Sequence, residues 1–241
     1  MKHIGILAHS FEGAALCYRT MCLESVARLG PHRHPEITLT GVGMDDLLPA
    51  WDSNDLPALR AAFFEDADKL AAAGCAFFVC PDNTAHIALE SPGGPFPIPA
   101  LHIGEVVGDE ASRRGFRQVG ILGTRFTMTG PVYPGALGRR GIGWAVPDAA
   151  DRKIVDDIIF NELCLGRFTD ESRAAYVRII EKLKADGCDA VAVVCTEIPL
   201  LVTDEVSPLP TLDSTRLLAK AAVEVAIDDK AMPDWRGGPV E

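Results

Sequence analysis

Short uninterrupted apolar runs recur along the chain, separated by longer stretches of helical length. The runs at 2–9 (KHIGILAH), 37–43 (ITLTGVG), 75–81 (CAFFVCP), 99–103 (PALHI), 118–124 (QVGILGT), 189–195 (DAVAVVC) and 209–213 (LPTLD) read as strands. Those at 12–29, 55–73, 105–115, 151–165, 170–186 and 213–228 read as helices. Strand and helix in alternation predict an α/β protein with mostly parallel sheets. Strands that are apolar on both faces fit sheets covered by helices on both sides.

The pattern also repeats. IGIL at 4–7 matches VGIL at 119–122, GCAFFVCPD at 74–82 matches GCDAVAVVC at 187–195, and PAL at 99–101 matches PTL at 210–212. The order is kept, with offsets of 115, 113 and 111 residues. Any two α/β halves share some strand pattern, but ordered matches at nearly constant offset favour tandem duplication of one α/β unit. Duplication makes Asp82 and Cys195 equivalent, since each stands at a strand end seven residues after a Gly-Cys pair. Cys80 is then a core filler. Ligands of open α/β sheets bind beyond the carboxyl ends of the strands. Two such halves facing each other would present Asp82 and Cys195 across one cleft. Two proton carriers on opposite sides of a small molecule are what stereoinversion at carbon requires.

Composition narrows the partners. The 241 residues carry a net charge of −11 and no Lys/Arg run longer than two, so neither nucleic acid nor an anionic membrane is an expected partner. No apolar stretch reaches the roughly 18 residues of a membrane span, and the N-terminal apolar run is too short for a signal peptide. Seven cysteines without a CxxC spacing fit a reduced, cytoplasmic protein with free thiols. His32 and His34, in GPHRHPE, lack further ligands at a metal-site spacing. The chain carries neither a Walker loop nor a GxGxxG fingerprint. No metal and no cofactor is expected.

The strand-end segments carry a recognisable set of motifs. PDNTAH (81–86) resembles the PCNTAH motif of the aspartate/glutamate racemase superfamily, with Asp82 where the first catalytic Cys stands. VVCTEIPLL (193–201) resembles its second motif and supplies Cys195. VGILGTRFTM (119–128), IIFNELCLG (158–166) and LDSTRLLAKAAVE (212–224) fit as well. The superfamily includes cofactor-independent amino-acid racemases, hydantoin racemases, maleate isomerases and arylmalonate decarboxylases. The resemblance implies two similar α/β/α (Rossmann-like) domains related by a pseudo-twofold axis. Residues 1–104 with 213–241 would form the first domain and 105–212 the second, with the active site between them. It also implies a small carboxylate-bearing substrate and a homodimer.

Departures from the family pattern bear on the chemistry. LAHSFEG replaces the usual Gly-Gly-Met start, so His9 and Ser10 alter one wall of the pocket. MDDLLPAWDSND (44–55) has no Arg to hold a distal carboxylate, which speaks against aspartate or glutamate as substrate. A carboxylate with an ordinary pKa near 3.9 is a weak base, and an apolar pocket that raises it would make Asp82 a usable one. Three readings stay open. Asp82 serves as a base opposite Cys195 in a racemase; or Cys195 is the single proton carrier of a decarboxylase or lyase; or Asp82 marks a site that binds without turnover.

Neighbouring polar residues complete the candidate site. Ser10, Asn83, Thr84, Thr124, Thr127 and Thr196 stand at strand-to-helix turns and suit a substrate carboxylate, although helix capping accounts for such residues equally well. His86 and Glu197 are candidates for orienting or tuning Asp82 and Cys195. The turn-rich tail MPDWRGGPVE is expected to fray.

Overall fold

The computed structural model describes residues 1–240. The chain divides into two compact units, Met1–Val106 with the segment from Thr215 onward, and Val107–Ser214. Each holds one four-stranded parallel sheet.

In the first unit the sheet order is β2-β1-β3-β4, made of β1 (Ile4–Leu7), β2 (Ile37–Thr40), β3 (Phe77–Val79) and β4 (Ala100–Leu101). Its helices are α1 (Phe11–Leu29), α2 (Met44–Asp52), α3 (Leu56–Ala72), α4 (Ala85–Leu89) and α5 (Ile103–Arg113), which carries the chain toward the second unit. One core lies between β1, β3, α1 and the returning C-terminal helix and includes Ile4, Ile6, Met21, Phe77, Leu218 and Val223. The other covers the opposite face through Leu7, Leu59, Phe63, Leu70, Phe78 and Phe96.

The second unit repeats the plan. Its order is β6-β5-β7-β8, from β5 (Gln118–Leu122), β6 (Gly143–Ala145), β7 (Ala190–Val193) and β8 (Thr211–Asp213). The helices are α6 (Arg125–Thr129), α7 (Val132–Gly138), α8 (Ala149–Asn161), α9 (Asp170–Ala185), α10 (Ile198–Leu201) and α11 (Ser214–Ala226), with a 3₁₀ turn at Leu163–Leu165. From Thr215, α11 belongs to the first unit.

The repeated motifs now have physical reasons. In IGIL and VGIL the glycine lets a helix approach its strand. A Cβ on Gly5 would lie 3.0 Å from Leu70 Cδ1, and one on Gly120 would lie 2.8 Å from Leu183 Cδ1. Leu70 and Leu183 are themselves equivalent, and both are buried. Gly74 and Gly187 end α3 and α9 in the left-handed region, at φ 87° and 95°, where other residues are strained.

The tail does not fray. Trp235 accepts at its carbonyl from Ala100 N–H (2.8 Å), Arg236 from Phe96 N–H (2.8 Å), and Gly238 N–H donates to Leu89 O (2.9 Å). The Trp235 ring stacks on His86 at 6.1 Å and meets His102 edge-on at 4.7 Å. An aromatic anchor with paired backbone outweighs the turn-forming composition of WRGGP. Trp235→Ala should cost about 2–3 kcal/mol, read as a lower urea midpoint; an unchanged midpoint would mean the strap contributes nothing.

Candidate active site

In the first unit, register decides what meets what. Ile6 pairs with Val79 across β1 and β3, and both strands run three residues further, to His9 and Asp82. His9 Nδ1 lies 2.9 Å from Asp82 Oδ2, and Trp51 Nε1–H donates to His9 Nε2 at 2.8 Å. The other carboxylate oxygen, Asp82 Oδ1, accepts from Ala85 N–H (3.0 Å) and so caps α4. Thr84 precedes that helix without a side-chain capping bond. Burial alone would raise the Asp82 pKa, but the interaction and hydrogen bond with His9 and the Ala85 N–H outweigh it and hold the group below its ordinary value. The expected rise of Asp82 is therefore reversed: the residue is a held carboxylate, not an apolar-pocket acid.

His86 has a different task from the one its position suggested. It is fully buried, and Nδ1 bonds the Asp82 carbonyl at 2.8 Å rather than the carboxylate. Nε2 accepts from Ile103 N–H at 3.2 Å. With one donor and one acceptor nitrogen engaged, the ring is neutral. Burial, and then the neighbouring His102, lower its pKa to about 3. His86 thus staples the turn after β3 to the start of α5.

The second unit places Cys195 at the matching turn after β7. Its Sγ–H donates to Glu197 Oε2 at 3.0 Å, and Thr196 Oγ–H donates to the same oxygen at 2.7 Å. Burial, followed by the Glu197 charge and its hydrogen bond, pushes the thiol pKa well above the usual range. Cys195 is therefore a protonated thiol beside a carboxylate, and Glu197 touches the sulfur directly. Leu122 pairs with Val193, so Thr124 and Cys195 each lie two residues past a registered pair. Thr124 Oγ accepts from Thr127 N–H at 3.4 Å and caps α6, with the Thr127 hydroxyl 3.1 Å away.

The remaining candidates divide by role. Ser10 caps α1 by accepting from Gly13 N–H at 3.2 Å. Asn83 is buried beside Asp82 in sequence. Cys80 is buried in the core, as its place in the repeat implied. Sequence reading placed His9 in a wall of the pocket but gave it no role beside Asp82. The signal for it was present: the 115-residue offset makes His9 the counterpart of Thr124.

A family model for Asp/Glu/hydantoin racemases matches residues 10–222. The chain belongs to that family. Among relatives, the broad-specificity amino-acid racemase RacX of Bacillus subtilis is 25% identical over 169 residues, 70% of this chain and 73% of RacX. A crystal structure from Yersinia pestis, of a protein assigned to the Asp/Glu racemases, is 32% identical with a TM-score of 0.85, covering 94% of this chain and all of that one. PH1733, an aspartate racemase homologue from Pyrococcus horikoshii, shares the fold at 24% identity and a TM-score of 0.78, with 94% and 100% coverage. Family membership supports an amino-acid racemase or isomerase class. Among the described residues, no group of three or more His, Cys, Asp or Glu is placed to hold a metal, and no helix is long and apolar enough to cross a membrane.

Proposed function

We propose that this protein is a cofactor-independent isomerase that moves the proton next to the carboxylate of a small amino-acid-like substrate. One observation carries the reading: the two equivalent strand-end positions hold unlike proton carriers, a carboxylate at Asp82 bonded to His9 and a thiol at Cys195 bonded to Glu197. In this mechanism the substrate C–H bond breaks toward Asp82 and the electron pair moves into the substrate carboxylate. The Cys195 S–H then delivers its proton to the other face of the same carbon, leaving a thiolate. The resting pair is restored when the Asp82 carboxyl releases its proton to solvent and the Cys195 thiolate takes one up from solvent.

The hydroxyls suit the accumulating charge. Ser10 and Thr124 each accept a backbone N–H at their caps, and a hydroxyl that accepts can also donate its O–H to an anion. Together with Asn83, Thr84, Thr127 and Thr196 they would hold the carboxylate and its enolate-like form. No Lys or Arg occurs at 8–13, 41–55 or 80–86, the strand-end segments after β1, β2 and β3. This supports a substrate without a distal carboxylate, in keeping with the broad specificity of RacX.

A second reading draws on the lowered Asp82 pKa and the two hydrogen bonds that occupy its carboxylate. Both make it a poor base, and a lyase or decarboxylase needs only Cys195 as proton donor. Incubation with amino acids, hydantoins and substituted malonates in D₂O separates the two. Racemisation predicts deuterium at the stereocentre of the product, abolished in both Cys195→Ala and Asp82→Asn. Cleavage products that need Cys195 but not Asp82 would move the protein to the lyases. Silence across the panel would count against both.

A further inference from the structure

Three side chains from distant parts of the first unit form one hydrogen-bonded line, Trp51 Nε1–H to His9 Nε2 at 2.8 Å and His9 Nδ1 to Asp82 Oδ2 at 2.9 Å. We propose that Trp51 is a positioning residue: its indole N–H pins His9 as the neutral Nδ1–H tautomer, which in turn keeps Asp82 as the unprotonated member of the acid–base pair.

The argument is one of donors and acceptors. An indole N–H only donates, and an ionised carboxylate only accepts. A neutral imidazole with its hydrogen on Nδ1 satisfies both neighbours. An imidazolium would set its Nε2–H against the Trp51 N–H, donor facing donor, in a site where His9 is 7% exposed. If Asp82 instead carried its proton on Oδ2, Nδ1 would have to become the acceptor. The imidazole hydrogen would then move to Nε2, and Trp51 blocks that position. The line therefore has one arrangement in which every group is paired.

Packing prevents the ring from escaping by rotation. His9 meets Trp51 of α2 edge-on at 5.7 Å and 87°, and Phe63 of α3 at 5.5 Å and 73°. The titratable groups around this line do not supply a substitute for Trp51. Asp82 is approached by the neutral His86 ring and the buried Cys80 thiol, while Asp66 on α3 pairs with Lys69. Burial opposes a charge on His9 and the Asp82 carboxylate favours one, while the Trp51 N–H requires an Nε2 without hydrogen. The Trp51 N–H is the counterweight that stops Asp82 from drawing a second proton onto the imidazole. In terms of the proposed reaction, the substrate proton goes to a free lone pair of Asp82, and His9 keeps its own.

The effect on turnover rests on the reading of Asp82 as proton acceptor, but the tautomer does not, so the test begins with the tautomer. In ¹⁵N-histidine-labelled wild-type protein, the His9 signals should show a protonated Nδ1 and an unprotonated Nε2 at neutral pH. This measurement needs no variant. Trp51→Phe keeps an aromatic ring and deletes only the donor. His9 should then gain a proton at Nε2 with its midpoint raised by about one unit, the equivalent of one ordinary hydrogen bond. The acid limb of the α-proton exchange rate should rise with it. A wild-type Nε2 that carries hydrogen, or a His9 titration unmoved by Trp51→Phe, would overturn the proposal while leaving the racemase reading intact. The expected tautomer in a protein that exchanges no substrate proton would support the Trp51 role and sink the racemase reading alone.

Discussion

Cys195→Ala should lose α-proton exchange by a factor of about 10² to 10⁴, the usual worth of a general acid–base group. The loss follows from what surrounds the sulfur. Its proton is held at Glu197 Oε2, the same oxygen that accepts from the Thr196 hydroxyl. Cys195→Ser is expected to fall nearly as far, because a hydroxyl is a far weaker acid than a thiol even where burial pushes the thiol up. Proton NMR in D₂O, following the Cα–H signals of a panel of neutral amino acids, reads the rate directly. Exchange that survives in Cys195→Ala at the wild-type rate would remove the residue from the mechanism. For enantiomers of equal free energy, the asymmetry between thiol and carboxylate cannot favour one direction in kcat/KM. Its signature is instead that the delivered deuterium comes from the thiol in one direction and from the Asp82 carboxyl in the other.

Acid lability is the second large effect, and it belongs to His86. In the unfolded chain this histidine should titrate near 6.5, whereas in the folded protein burial and His102 hold it at about 3. The folded pKa is the lower one, so the unfolded state takes up the proton first as pH falls. Stability is complete above about 6.5 and is lost progressively down to about 3. At about 1.36 kcal/mol per unit, the loss is on the order of 4–5 kcal/mol. Asp82 adds its own loss only in the carboxylate range, where its lowered pKa lies. The contribution of His86 therefore shows as a difference: urea midpoints of wild type and His86→Gln, measured from pH 7 to pH 4, should differ in slope by about one proton. Parallel slopes would show that His86 is protonated in the folded state.

The parts of the fold that were legible from sequence are those whose signal is local. The buried strands β1, β3, β5 and β7 are continuous apolar runs, and the spacing of Gly5 from Leu70 recurs in Gly120 and Leu183. The edge strand β6 was not legible, because Gly143 and Trp144 are exposed and three residues carry no alternation. Helices α2 and α7 were hidden by Pro49 and Pro134, which read as breaks but sit inside short helices. Asp82 and Cys195 could be named from the repeat and the motif resemblance. The protonation of Asp82 could not, because it is set by His9, 73 residues earlier, and becomes visible only once β1 and β3 are in register. The same holds for Trp51, whose partner is 42 residues away. Trp235 shows the limit of composition as a guide: a glycine- and proline-rich segment is ordered when a single large ring finds a surface.

That segment has a consequence for how the chain is made. The second unit is continuous, so all of its residues are synthesised before α11 is complete. The first unit needs Leu218 and Val223 in its core and Trp235 over His86 and His102. Its opening strands must therefore wait through the synthesis of more than a hundred intervening residues with Phe77 and His86 not yet covered. A chain that stops before residue 215 would hold every residue of the second unit and an incomplete first one. Its exposed β1–β3 surface is the part on which a chaperone would act.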